Sequence, residues 1–210
     1  MTDFDSQEER VKNFLKEQVR NNLLKIGRRL VVEQGAEFLT ARKLSEASSI
    51  SVGSIYNQFA NMDNFIRAQN MQTLDELFKA MQVIIPADNP YVTLNCYADI
   101  FSNFVINNPN LWKLLFDAHL KADKGGLPFE YVRKIKRIEK LLETQLSLMF
   151  GRLRYAERRL AGQVLTMTLF ALSGLVAAST WEGLRQVNKN NICKLLLNTY
   201  IAGLNSLQRG

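Results

Sequence analysis

Four prolines and eleven glycines are spread over 210 residues. That scarcity excludes a fold of many short strands, because each strand end needs a turn residue. Histidine occurs once, as His119, and cysteine twice. No Ser-His-Asp or Cys-His arrangement, no metal-ligand cluster and no glycine-rich phosphate loop can be assembled from this set. The reading is therefore not an enzyme, with no cofactor and no metal. Cys96 and Cys193 lie far apart and outside any CxxC pattern, so both are expected as free thiols of a reducing cytosol. The segment Met1 to Arg10 is polar and acidic, without the basic and then apolar order of a secretion signal. A stretch without charge, Val164 to Trp181, is diluted by Thr166, Thr168, Ser173, Ser179 and Thr180. It reaches only the lower edge of membrane-spanning length and reads as a buried helix. A cytoplasmic chain without a membrane partner is the expectation.

What is present is an apolar fraction of 47%, enough for a packed interior, and a net charge of +7. Basic chains invite polyanions. The charge is uneven, however. Residues 1–70 hold ten Lys and Arg against nine Asp and Glu, a balance of +1, whereas residues 71–210 hold seventeen against eleven, or +6. Within 10–43 nine bases face only Glu17, Glu33 and Glu37. Charge alone points weakly, and any case for nucleic acid must come from a motif.

Helical periodicity dominates the chain. Leu15, Val19, Leu23, Ile26 and Leu30 recur at spacings of four, four, three and four, one stripe of a helix over about 8–34. Gly35 follows where a C-terminal cap belongs. Thr40 is an N-cap for a short helix Ala41–Ala47, Ser48-Ser49 makes a turn, and Ser51 caps a third helix from Val52 to about Gln58. Asn61 caps a fourth, with Asp63 in its first turn. Asn89-Pro90 and Asn108-Pro109 each read as N-cap followed by N1. A loop at Asp123–Pro128 contains Gly125 and Gly126. Helices are then predicted over about 129–150, 155–182 and 189–207. The fold class is all-α, nine helices and no strand, with one domain over 1–62 and a second over 63–210.

Two short helices joined by a tight turn near the N-terminus form a helix-turn-helix. Leu44, Ala47, Ile50, Ile55 and Phe59 can point inward, leaving Ser51, Val52, Ser54, Tyr56, Asn57 and Gln58 to an outer surface. Small and polar groups at a helix N-terminus allow close approach, and the free N–H groups there attract phosphate.

The run Gly35, Thr40-Ala41-Arg42-Lys43-Leu44-Ser45 and Ile50-Ser51-Val52-Gly53-Ser54-Ile55-Tyr56-Asn57-Gln58-Phe59 resembles the signature of the TetR family of transcriptional regulators. The match runs from Gly35 to Phe59 without a gap. The resemblance implies that Thr40, Arg42, Lys43, Ser51, Val52, Gly53, Ser54, Tyr56, Asn57 and Gln58 form the DNA-binding set. Arg42 falls where a base-reading side chain can stand, and its fork suits guanine O6 and N7. Tyr56 falls on a backbone-contacting tyrosine, while Val52, Asn57 and Gln58 fall on positions that tune sequence choice. Three positions depart from the pattern. Ser49 stands for the turn glycine, at a cost on the order of 1 kcal/mol if its φ is positive. Met62-Asp63 stands for Lys-Glu. The helix from Ser51 to Phe59 is neutral, which leaves phosphate attraction to Arg42, Lys43, Lys25, Arg28 and Arg29.

The second half places aromatics on helices. Phe78, Phe101, Phe104, Trp112, Phe116, His119, Met167 and Phe170 are the candidate lining of a cavity for an apolar or aromatic ligand, since the resemblance implies an inducer site. Taken singly, each also suits an ordinary core position. Ala171, Gly174 and Ala178, with Ile192, Leu196 and Thr199 on the last helix, resemble a two-helix surface that pairs with its twin. Arg133, Lys134, Lys136, Arg137 and Lys140 alternate with Ile135 and Ile138, as on the wet face of an amphipathic helix. The expected function is a ligand-responsive regulator, a repressor, that binds a palindromic operator as a homodimer and is released by a small-molecule inducer. The alternative reading is a helical ligand- or protein-binding module with weak or no specific DNA binding.

Overall fold

The computed structural model describes residues 2–120, 128–178 and 189–208, with side chains over 7–119, 128–174 and 192–208. Most of the expected glycine loop, the end of the helix toward residue 182 and the side chain of Ala178 lie outside these ranges. Among the described residues there are nine α-helices and no strand: α1 (Thr2–Gln34), α2 (Ala41–Ser48), α3 (Val52–Phe59), α4 (Met62–Gln82), α5 (Pro90–Asn107), α6 (Pro109–Leu120), α7 (Phe129–Met149), α8 (Tyr155–Ala178) and α9 (Lys189–Leu207). The all-helical class follows the periodicity. A single 3-10 turn, Ala36–Phe38, was not anticipated. Two compact units divide the chain, Met1–Asn70 and Met71–Gly210.

In the first unit, Leu23, Leu30 and Val31 of α1 meet Leu39, Leu44, Ile55, Phe59 and Phe65 in one buried core. Burying each such side chain contributes roughly 1.5–3 kcal/mol. Gly27 makes the α1–α4 approach possible, because a Cβ there would stand 2.6 Å from the Phe65 ring. Gly35 ends α1 at φ 107°, a conformation that glycine adopts freely. The expected α1 stripe holds only in part. The helix begins at Thr2, Leu15 and Val19 are exposed, and Leu23 is the first buried residue of the described side chains. Ala47, expected inside, is exposed, and Ile50 is half-buried.

The second unit buries Leu94, Phe101, Trp112, Leu115, Tyr131, Ile138, Leu142, Leu146, Leu165, Leu169, Leu197 and Ile201 in one cluster. Asn89 caps α5 as expected, accepting from the Tyr91 N–H at 3.0 Å ahead of Pro90. Asn108 likewise stands before Pro109 at the start of α6, and its carbonyl accepts from the Trp112 N–H at 2.9 Å. Its side-chain amide turns back and donates to the Phe104 carbonyl at 2.9 Å, so the one residue both closes α5 and opens α6. Among the described residues no helix is long and apolar enough to cross a membrane.

Candidate functional site

The turn between α2 and α3 is made by capping chemistry. Thr40 accepts from the Lys43 N–H, and Ser51 accepts from the Ser54 N–H, both at 3.2 Å. Each satisfies a donor that the helix start leaves open. Ser49 sits at φ 58° and ψ 21°, the left-handed region, so the residue standing for a turn glycine does adopt the conformation that favours glycine. Ala60, just past α3, has φ 66° as well.

One face of the α2–α3 pair is buried through Leu44, Ile55 and Phe59; the other is open. Ser51, Val52, Gly53, Ser54, Tyr56 and Asn57 are all exposed, with Val52 and Tyr56 apolar groups left in water. A Cβ on Gly53 would meet nothing within 4 Å, so the helix N-terminus is accessible to its backbone. The Ser51 and Ser54 hydroxyls are 2.9 Å apart. Gln58 differs from its neighbours. It is half-buried, its side-chain Oε1 is buried, and its backbone carbonyl accepts from Arg20 at 2.8 Å. Of the residues expected to read bases, Gln58 is therefore the one turned partly inward.

Arg42 is 88% exposed, but its Nε donates to Glu46 Oε1 at 3.1 Å, and Lys43 Nζ lies 3.4 Å from the other carboxylate oxygen. The Arg42 bond, and then Lys43, hold the Glu46 carboxyl below the usual carboxylate range. The two bases nearest the neutral α3 thus share one acid four and three residues on, a feature that sequence reading passed over although the i,i+4 spacing is plain. Arg20 was also missed. It reaches from α1 to the Gln58 carbonyl and lays its guanidinium 4.2 Å from the Phe59 ring centroid, fixing the end of α3.

The second unit assembles a different kind of site. Phe101, Trp112 and Phe170 contact one another, with ring centroids 5.2, 5.3 and 5.0 Å apart. His119 and Tyr131 adjoin them, and the Tyr131 hydroxyl lies 3.2 Å from His119 Nδ1. Burial lowers the His119 pKa and raises that of Tyr131, so both rest in their neutral forms near pH 7. Trp112 is fully buried, and its indole N–H has no hydrogen-bond partner among the described residues. Phe104 and Phe116 flank this cluster half-buried.

Two of the expected lining residues go elsewhere. Met167 is 70% exposed. Phe78 is buried under Arg137, whose guanidinium carbon stands 3.9 Å from its ring centroid. The basic run on α7 is mostly paired, Lys134 with Asp75 at 2.5 Å, Arg137 with Asp75 at 3.5 Å and Arg133 with Glu130 at 2.6 Å.

The residues expected at a pairing surface divide between interior and exterior. Gly174 faces inward: a Cβ there would be 2.5 Å from the Phe116 ring, so it serves the α6–α8 packing within the chain. Leu196 is half-buried against the core, and Ile192 is half-buried too. Ala171 and Thr199 are exposed. Beside them stand Leu160, Val164 and Met167 on α8 and Leu195 and Leu207 on α9, all exposed.

No protein-family model matches the sequence. No curated protein is similar to it at a significant level. Solved structures are similar in shape. A TetR transcriptional regulator from Streptomyces coelicolor matches with TM-score 0.67 at 18% identity, over 90% of this chain and 98% of that one. RolR, solved in complex with resorcinol, matches with TM-score 0.64 at 18% identity, over 88% of both chains. The repressor FadR from Thermus thermophilus, solved with lauroyl-CoA, matches with TM-score 0.66 at 16% identity, over 87% of this chain and 93% of that one. The chain thus has the all-α fold of the TetR transcriptional regulators to which it is similar in shape.

Proposed function

We propose that the chain is a ligand-responsive transcriptional regulator, a repressor, that binds a palindromic operator as a homodimer through α2 and α3. The observation that carries this reading is the presentation of α3. Ser51, Val52, Gly53, Ser54, Tyr56 and Asn57 face outward at a capped, uncrowded helix N-terminus, while Ile55 and Phe59 anchor the helix from behind. A helix so held suits the major groove, with N–H groups and hydroxyls toward phosphate and Val52 and Asn57 toward base edges.

The homodimer is supported by the exposed apolar faces of α8 and α9, with Leu160, Val164 and Met167 at spacings of four and three. Ala171 continues the α8 stripe, and Gly203 on α9 has open space where a side chain would be. Two such helices from each copy make a four-helix interface and set the distance between the two reading heads, roughly 34–36 Å on successive major grooves.

The aromatic cluster around Trp112 supports an apolar or aromatic inducer. A buried indole N–H without a partner is destabilising by about 1–3 kcal/mol, a cost that a ligand acceptor relieves. RolR and FadR, of the same fold, were solved with resorcinol and with lauroyl-CoA. The inducer shifts the population of the DNA-competent form by no more than its differential affinity for the two forms.

The test is an anisotropy titration of the full chain against the DNA upstream of its own gene. Sequence-specific, salt-dependent binding is expected, weakened for all sequences alike by Tyr56→Phe. Binding without sequence preference would favour the rival, a helical binding module, for which the Glu46 clamp on Arg42 and Lys43 speaks.

A further inference from the structure

Helix α3 has eight residues and is about 12 Å long. A helix this short has no stability of its own, so its direction depends on what grips each end. Its two flanks are unusual. Ser49 ahead of it has φ 58° and Ala60 behind it has φ 66°, and among the described residues no other residue except glycine has a positive φ. Such conformations are costly for residues with a Cβ and persist only where surrounding contacts impose them.

At the entry to α3 the contacts are local. The Ile50 N–H donates to Ser48 Oγ and the Ser54 N–H to Ser51 Oγ, both at 3.2 Å. At the exit a local bond, from the Ala60 N–H to the Tyr56 carbonyl at 2.7 Å, is joined by a distant one. Arg20 on α1 is half-buried and donates from Nη1 to the Gln58 carbonyl at 2.8 Å. Its guanidinium carbon lies 4.2 Å from the Phe59 ring centroid, and Phe59 meets Phe65 edge to face at 4.7 Å. One planar side chain thus holds the last two residues of α3, immediately before Ala60.

We infer that Arg20 is a positioning residue for sequence recognition: by gripping the Gln58 carbonyl and the Phe59 ring it sets the tilt of α3, and with it the place of Asn57, without itself touching DNA. The role rests on the reading of α3 as the base-reading helix. Specificity, more than affinity, is what the tilt controls. A rotation of about 10° about the Ser51 cap moves Asn57 by about 1.5 Å. A base-edge hydrogen bond works over a range of roughly 0.5 Å and is lost. Attraction to phosphate acts over about 10 Å in salt and is hardly altered.

Duplexes selected by the full-length parent from a random pool supply the specific site, and scrambled duplexes of the same composition supply the reference. Arg20→Ala lowers the ratio of the two affinities about tenfold, the worth of one base contact, with the scrambled affinity and its salt slope unchanged. Arg20→Lys keeps the charge but not the fork, and recovers less than half of the ratio. Val31→Ala, a change in the buried core on the same helix, lowers stability and leaves the ratio alone. Without DNA, backbone amide exchange from Tyr56 to Phe59 speeds in Arg20→Ala by more than exchange in α2. A salt slope that falls by about one, with full recovery by lysine, makes Arg20 a phosphate contact and overturns the proposal. So does an unchanged ratio, an equal loss in Val31→Ala, or exchange in α3 that rises no more than in α2. A parent that selects no sequence overturns the reading of α3 and this role with it, whereas the other outcomes leave that reading standing.

Discussion

Arg20 on α1 donates from Nη1 to the backbone carbonyl of Gln58 at 2.8 Å, and the same guanidinium covers the Phe59 ring. The bond satisfies a carbonyl at the end of α3 and ties that helix to the long α1. Both contacts are lost in Arg20→Ala, with an expected destabilisation of about 2 kcal/mol for the first unit. Arg20→Lys keeps the charge but not the planar fork, and recovers less than half. Chemical denaturation followed by circular dichroism measures both; equal stability of Arg20→Ala and the parent would refute the role.

Glu46 pairs with both Arg42 and Lys43, the bases that the proposed reading turns toward DNA. Glu46→Gln frees both, so DNA affinity rises and the slope of log K against log salt steepens by about one. Arg42→Ala has the opposite sign, and costs about 1–3 kcal/mol at one operator position if the guanidinium reads a guanine. Salt-dependent anisotropy titrations on the three proteins decide the matter.

Ser49 occupies the left-handed region at φ 58°. Ser49→Gly relieves that conformation and stabilises the first unit by about 1 kcal/mol, less the entropy that glycine adds to the unfolded chain. Ser49→Val is destabilising by more, since a β-branched residue tolerates the region least. Thermal melts that rank valine above glycine would contradict this geometry.

His119 is the only histidine, which makes its titration readable without assignment. Burial depresses its pKa below the usual 6.5, against a smaller opposing contribution from a bond to the Leu115 backbone. The unfolded chain therefore binds the proton more readily than the folded one. Stability falls as the pH drops below 6.5 and levels off beneath the folded-state pKa. Stability measured between pH 7 and 5 should show this slope in the parent and lose it in His119→Gln. Imidazole proton shifts that titrate at or above 6.5 would exclude it.

Gly174 and Met167 separate interior packing from pairing. Gly174→Ala drives a methyl into the Phe116 ring and destabilises the subunit by about 1–3 kcal/mol. Met167→Glu leaves the subunit's stability nearly unchanged and weakens dimerisation, because that side chain is in water in the single chain. Paired melting and sedimentation data in which the two substitutions exchanged effects would reverse the assignment of these faces.

The helices and their caps were legible because they are local. Thr40, Ser51 and Asn89 each accept a hydrogen bond from an N–H two or three residues ahead, a relation written in adjacent letters. Asn108 carries the same letters as Asn89 and takes the same place before a helix, but its side-chain amide donates to a carbonyl one turn behind. Faces were harder. Gly174 and Leu196 sit within a turn of the exposed stripes, and a rotation of about 100° per residue separates a core position from a surface one. Periodicity gives the existence of a stripe but not which neighbour covers it, which is why Leu15 and Val19 look like core in the letters and are bare in space.

By itself the chain of letters determined the all-helical class, the breaks between helices and the outward-facing α3, all of which depend on interactions within a few residues. Tertiary structure decided the long-range pairings: Arg20 with Gln58, 38 residues away, the meeting of Phe101, Trp112 and Phe170, and the inward turn of Gly174. Those contacts form only when separate helices pack. Their partners are chosen by shape and burial across the whole unit, and no local spacing encodes them.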